Sequence, residues 1–399
     1  EDSAAPGIWR MVRGEDDSVG AESGIEHAVV HSRTHGPHIL IAAGGTGGHV
    51  FPALAIAQEL QSRSGMHSPF AGEEGTPEIE FLGTGRGLES RVIPRAGFRL
   101  RTVAAAGLKG VGALKRLNNL LVLPRSALEA AAILREFRPD AVVGIGGYLA
   151  GPAMLEAALK DIPTLLIEPN AMPGFTNRVL APMVRLAAVG FEEAARFYGA
   201  KARVTGHAVR REFFAVPEKG HVAPFTVLVL GGSQGSKSIN KLMVEMLALL
   251  HSETVKFVHQ TGERDYNDVL ESYRERGVEA EIHKFIDDVP GALARADLVI
   301  ARSGAATVAE LAAAGRASLL IPFPHSTDQH QLHNARALER VGGARILEER
   351  ELTASRLADQ ILELLGSPQQ LATMRRAARR LARPNAAADI ADLVEEILT

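Results

Sequence analysis

With 399 residues, 46% hydrophobic and 23% charged, the chain is long for one apolar core and ordinary in composition for a globular protein, so two domains are expected. Its formal net charge of -3 gives no bulk argument for a nucleic-acid partner, and none is expected. The lack of cysteine excludes disulfides, thiolate nucleophiles and thiolate metal sites, and suits a reducing compartment.

In chain order, residues 1–36 are polar and without periodicity, which predicts a disordered extension with no secretory signal. From Thr34 to Gln58 there is no Asp, Glu, Lys or Arg. The glycines at 44, 45, 47 and 48 nevertheless argue against a lipid-exposed helix and for a strand, a turn and a second element. Residues 64–78 read as an exposed loop. Ile39–Ala42, Ile79–Leu82, Ala141–Val143, Thr164–Ile167, Thr226–Leu230, Lys256–His259, Leu298–Ala301 and Ser318–Ile321 read as buried strands, and Ala53–Arg63, Ser126–Phe137 and Ala305–Ala314 as helices. This alternation predicts an α/β protein with parallel sheets covered on both faces. A strand, Gly-rich turn and helix begin near residue 38 and again near residue 225. Two such first units predict two Rossmann-like halves, with the site in the cleft between their strand ends.

The first turn, Gly44-Gly45-Thr46-Gly47-Gly48-His49, lets backbone N–H groups approach an anion or a sugar. It matches neither G-x-G-x-x-G nor G-x-x-x-x-G-K-[ST], which disfavours a nicotinamide enzyme and a P-loop. The second turn, Gly231 to Ser236, repeats the logic and adds the Ser233 hydroxyl. Arg302-Ser303-Gly304 leads into a helix near Ala305, whose open N–H groups suit a diphosphate, with Glu310 one turn on to accept from a ribose diol. Tyr148, Glu168 and Asn170 follow first-half strands and face the same cleft edge. The His- and Gln-rich stretch from His325 to Asn334 has no zinc-like spacing, and there is no Asp-x-Asp, so no metal is expected. Gly107–Arg125 mixes Lys109, Lys115, Arg116 and Arg125 with leucines and valines, a pattern open both to an anionic membrane surface and to a packed amphipathic helix.

GGTGGHVFPALAIA, GGYLAGP, EPNAMPGFTNR, GGSQGSKSIN and RSGAATVAELAAAG occur in the order and spacing of the MurG family, which the chain resembles over nearly all of residues 37–399. The resemblance implies a GT-B architecture, two Rossmann-like domains facing across a cleft. The expected division is 37–208 for the acceptor and membrane domain, completed by a C-terminal helix at about 380–399, and 209–379 for the UDP-GlcNAc domain. It implies inverting transfer of GlcNAc from UDP-GlcNAc to the 4-hydroxyl of MurNAc in undecaprenyl-diphospho-MurNAc-pentapeptide, the lipid I to lipid II step of peptidoglycan synthesis, on which cell shape and division depend. No cofactor is implied. The expected place is the cytoplasmic face of the bacterial membrane, held peripherally, with other cell-wall synthesis proteins as further partners. By the same resemblance the donor meets Thr46, Gly47, Gly48, Asn170, Arg210, Ser233, Ile286, Ala305, Ala306, Thr307, Val308, Ala309, Glu310 and Gln331. The acceptor meets His49, Tyr148 and Asn177. Since the acceptor hydroxyl must lose a proton, His49 is the expected base and Glu168 the runner-up. The sequence departs from the family's usual pattern at Pro169, His207, Ala208 and His330. A UDP-GlcNAc 2-epimerase and a non-catalytic sugar-nucleotide sensor are the alternatives.

Overall fold

The structure, a computed structural model, describes residues 36–45, 47–63, 75–85, 87–104, 113–220, 222–232, 234–249 and 255–399, leaving out the side chains of 113–123 and of Tyr148. The expectations for residues 1–35, most of the 64–78 loop, Thr46, Lys109 and Ser233 lie outside these residues, as do the side chains of Lys115 and Arg116.

Among the described residues thirteen strands form two sheets. The first contains β1 (His38–Ala42), β2 (Glu78–Gly83), β3 (Arg99–Thr102), β4 (Ala141–Ile145), β5 (Thr164–Glu168), β6 (Leu186–Val189) and β7 (Ala202–Val204). Its order is β3-β2-β1-β4-β5-β6-β7. The second contains β8 (Phe225–Leu230), β9 (Val255–Gln260), β10 (Ala280–His283), β11 (Leu298–Ala301), β12 (Ser318–Leu320) and β13 (Ala344–Ile346). Its order is β10-β9-β8-β11-β12-β13. Every pairing is parallel. Central strands such as β4 and β11 are buried at every position, as sheets covered on both faces require.

The five strands not anticipated are β3, β6, β7, β10 and β13. They are three or four residues long, and four of them carry charge. In β3, Arg99 and Arg101 pair with the buried Glu80 at 3.0 and 2.7 Å, so the sheet edge is closed by charge rather than by apolar packing. Two helices begin earlier than expected. The first runs Gly47–Ser62 and includes His49 in its first turn. The second runs Ala113–Phe137 and takes in much of the basic-apolar segment. The helix Ala305–Ala314 matches its expected limits and ends at Gly315, whose φ of 59° is the left-handed conformation glycine adopts without strain.

Ala208 belongs to the first apolar core, whereas Phe213 lies in the second with Val209 packed against it, so the chain crosses between the halves there. The C-terminal helix Ala386–Leu398 returns to the first half and buries Ile390, Val394 and Ile397 there. In the opposite direction, Ala171 and Phe191 of the first half share the second half's core with Phe213 and Ala305.

Candidate functional site

In both sheets the strand order reverses beside the first strand of that half, between β1 and β4 and between β8 and β11. Loops that leave neighbouring strands at such a point diverge to opposite faces and leave a crevice at the carboxyl ends. The turns singled out in the sequence follow these four strands.

In the first half, Glu89 is fully buried and organises the turn after β1. It accepts from Gly45 N–H (3.1 Å), Thr84 N–H (3.1 Å) and the Thr84 hydroxyl. These bonds outweigh the cost of burial and hold its carboxyl below the usual range. Nothing in its spacing marked Glu89, because the turn it serves lies 44 residues away in sequence.

His49 is half-buried, its Nδ1 3.3 Å from the Gly44 carbonyl. A carbonyl only accepts, so Nδ1 carries the proton and Nε2 is left as the basic nitrogen. Burial lowers the imidazole pKa, the Gly44 bond opposes this, and His330 of the second half lowers it further. Nε2 lies over Gly146, where a Cβ would sit 3.5 Å from it. Gly146 also has a φ of 50°, so it is constrained both by conformation and by this close approach. Tyr148 is in the helix Gly147–Leu159 that starts at this point.

Glu168, at the end of β5, is buried and engaged through both oxygens. Oε1 accepts from Asn170 N–H (2.9 Å) and Asn170 Nδ2 (3.2 Å), and Oε2 from Gly174 N–H (3.3 Å) and Asn177 Nδ2 (2.7 Å). Burial still raises its pKa against these four donors. The runner-up base therefore serves as the hub of its own loop and has no open face toward a substrate. Asn177 is also buried, but its Oδ1 has no partner among the described residues. A buried acceptor without a donor is rare and suits an incoming hydroxyl.

In the second half, the helix after β11 has Gly304 as its N-cap. Its first intrahelical bond from this end runs from Val308 N–H to the Gly304 carbonyl. Ala305, Ala306 and Thr307 thus offer open N–H groups, while the N–H groups of Val308 and Ala309 are bonded within the helix. Val308 is fully buried. Arg302, missed as a site residue, stitches the two turns together. It donates to the hydroxyls of Ser236 (2.8 Å) and Ser238 (2.7 Å) and to the carbonyls of Ile321 and Pro322, and it pairs with Glu349.

Ile286 N–H is already donated to Gln260 Oε1 (2.9 Å), and Gln260 Nε2 donates to the Gly232 carbonyl (2.7 Å). That N–H is therefore not open to a base, and only the carbonyl side of Ile286 remains for the role expected of it. Gln331 uses Oε1 to accept from Phe323 N–H (3.0 Å), which leaves its Nε2 donors for a sugar. The Asn170 side chain is taken up by Glu168 and by Asn334 of the second half, so it acts as a bridge between halves.

Arg210 lies over the rings of Phe51 and Phe213, at 4.9 and 5.1 Å, and its buried Nε has no partner among the described residues. It faces Glu310, which burial pushes up to about 7 while Arg210 opposes the shift. Among the described residues no cluster of three His, Asp or Glu side chains is arranged to hold a metal.

The arrangement thus has a basic nitrogen and an unpaired acceptor in one half, and an open helix start with a carboxyl in the other. Comparisons with known proteins match the two halves separately. The N-terminal domain of glycosyltransferase family 28 matches residues 39–189 and its C-terminal domain residues 226–394. The chain is 45% identical over 365 residues to the UDP-N-acetylglucosamine--N-acetylmuramyl-(pentapeptide) pyrophosphoryl-undecaprenol N-acetylglucosamine transferase of Myxococcus xanthus, covering 90% of this chain and 93% of that one. It is 40% identical over 362 residues to the protein of the same name from Geobacter metallireducens, covering 89% and 97%. Among solved structures it is similar to MurG of Acinetobacter baumannii, with a TM-score of 0.70 and 30% identity over 90% of this chain and 99% of that one. The UDP-GlcNAc 2-epimerase of Neisseria meningitidis shares the fold alone, with a TM-score of 0.65 at 14% identity over 90% of this chain and all of that one.

Proposed function

The chain belongs to glycosyltransferase family 28, and from that premise we propose that it transfers GlcNAc from UDP-GlcNAc to the 4-hydroxyl of MurNAc in undecaprenyl-diphospho-MurNAc-pentapeptide, turning lipid I into lipid II. The observation that carries this reading is the separation of an acceptor side from a donor side. His49 Nε2 and the unpaired Asn177 Oδ1 sit in one half, and the open turn Ala305–Thr307 sits in the other. An epimerase or a sensor needs only the second of these.

In the reaction the MurNAc hydroxyl attacks the anomeric carbon from the face opposite UDP, and the bond from that carbon to the diphosphate oxygen breaks. The hydroxyl proton passes to His49 Nε2, and UDP leaves with the extra negative charge. The N–H groups at the helix start stabilise that charge, as preorganised dipoles do at other leaving groups. Glu310 accepts from the ribose hydroxyls, Arg210 adds positive charge beside it, and Gln331 donates to the sugar. No metal is required for these steps.

A lipid-linked acceptor calls for peripheral attachment at a membrane surface, which we take to be the cytoplasmic face. Among the described residues no helix is long and apolar enough to cross a membrane. Three helices of the first half, the middle one (Gly147–Leu159) packed against each of the other two, leave large apolar side chains in water: Leu128 (73% exposed), Leu155, Leu159 (67%), Phe175 (70%), Val179 and nearby Met183. This group supports peripheral attachment better than Arg125, whose charge is paired with Glu129 at 2.8 Å.

The test is UDP release by the purified chain in EDTA, with UDP-GlcNAc and a lipid-linked MurNAc-pentapeptide analogue. Release that depends on the acceptor is expected. Epimerisation of UDP-GlcNAc alone, or an absolute need for added magnesium, would overturn the reading.

A further inference from the structure

One fully buried amide joins the two halves at the bottom of the cleft. Asn334 lies on the helix His330–Arg340 and is 0% exposed. Its Oδ1 accepts from Ala171 N–H (2.9 Å). Its Nδ2 donates to Asn170 Oδ1 (3.1 Å) and to the Ser303 carbonyl (3.2 Å). An amide has one acceptor and two donors in a plane, and all three are spent here. An apolar residue would leave three buried groups unpaired, and a carboxylate would set its oxygen against two others.

The partners are what give this residue a role. Ser303 begins the turn that opens the donor helix. Asn170 donates to Glu168, which in turn holds Asn177 at 2.7 Å. The chain of bonds from Ser303 through Asn334, Asn170 and Glu168 to Asn177 therefore runs from the donor turn to the unpaired acceptor atom. Ala171 packs in the second half's core, so the contact is closed to water around the amide. The neighbouring pair Arg178–Asp328 also spans the halves, at 2.6 Å, but it is exposed at both ends and is worth little by comparison.

We propose that Asn334 is a positioning residue that aligns the acceptor side with the donor turn through Asn170, so that one amide sets the register of the two halves for transfer. This rests on the transfer reaction proposed above. It predicts that turnover depends strongly on Asn334 while donor affinity changes little, because most of the donor contacts, from Arg210 through Ala305–Thr307 and Glu310 to Gln331, lie on the second half.

The experiment compares the full chain with Asn334→Asp, which keeps the shape and the Ala171 bond but loses both donors, and with Asn334→Ala. UDP-GlcNAc affinity is read by calorimetry and transfer to the lipid-linked analogue by UDP release. Turnover should fall roughly 10- to 100-fold, the scale expected for a misplacement of about 1 Å, with donor affinity nearly unchanged. The double variant Asn334→Ala with Asn170→Ala should lose no more turnover than the worse single variant. Full turnover with only a lower melting temperature, or single losses that multiply in the double variant, would overturn the proposal.

A second readout needs no transfer activity and so separates this inference from the proposed reaction. The chain has no cysteine, so spin labels can be placed at Glu136→Cys and Lys241→Cys, exposed positions in the two halves. Asn334→Asp should broaden the distance between them, and an unchanged distribution would sink the proposal even if the wild type transferred no sugar. If the wild type bound donor but transferred nothing while the broadening appeared, the reaction would fail and the alignment role would stand.

Discussion

At the residue scale, Glu310 is the clearest case of a site tuned by its surroundings. Burial raises its carboxyl to about 7. Ribose hydroxyls donate more strongly to the ionised form than to the neutral acid, and the diphosphate of UDP-GlcNAc, esterified at both ends, does not titrate in this range. Affinity for UDP-GlcNAc should therefore rise with pH up to about 7 and level off above it, by at most about tenfold per pH unit below 7. Glu310→Gln should bind more weakly at pH 8 and show no such slope. Flat binding by the wild type between pH 6 and 8 would remove Glu310 from the ribose. His49 has the opposite bias: burial lowers its pKa, so Nε2 stays unprotonated further into acid than a free imidazole. His49→Ala should lower turnover by about 10²–10⁴-fold while leaving donor affinity nearly intact. Loss of donor binding with normal saturated turnover would make His49 a binding residue. Glu168 would not replace it, since both its oxygens are occupied.

At the element scale, two buried histidines tie stability to pH. On β9, His259 accepts from the Tyr273 hydroxyl through Nδ1 and donates to Asn240 through Nε2, and burial lowers its pKa to about 3. In the segment crossing between halves, burial and then His49 lower His207 to about 4. Both lie below the ordinary value of 6.5, so between pH 6.5 and about 4 the unfolded chain takes up protons that the folded chain does not. The stability their neutral forms contribute is fully present above 6.5 and drains as pH falls, by up to about 1.4 kcal/mol per pH unit for each group. Thermal melts should show this loss, and His207→Asn should make the slope shallower in that window. An unchanged slope would mean that His207 is hydrated or protonated in the folded chain. His207 stands where the family's usual residue is asparagine, and its buried Nε2 lacks a partner among the described residues, so the replacement removes a cost.

At the scale of the whole molecule, three neighbouring helices of the first half leave a group of apolar side chains in water. Phe175, Leu159 and Leu128 are each at least two-thirds exposed, on helices packed side by side. Replacing Phe175 and Leu159 with aspartate should weaken binding to anionic vesicles by about tenfold or more, since each buried side chain of this size contributes about 1.5–3 kcal/mol. UDP-GlcNAc binding should be unaffected. Vesicle binding that survives the double replacement but is lost on charge reversal at Lys115 and Arg116 would move the membrane face to the basic segment.

The strands β1, β4, β8 and β11 and the turns that follow them were legible in the residues alone. A strand buried on both faces must be a run of apolar residues, and a turn that brings backbone close to a ligand needs glycine. The family's motifs added the division into donor and acceptor sides. What the sequence could not decide was which polar atoms are already spoken for. Glu89, Gln260, Arg302 and Asn334 serve turns that are 26 to 164 residues away, and no local pattern marks such a partner. The occupied N–H of Ile286, the saturated Glu168 and the unpaired Oδ1 of Asn177 follow from the same cause. A hydrogen bond is set by distance and direction to within a few tenths of an ångström, and those exist only once both sheets have folded and closed on each other.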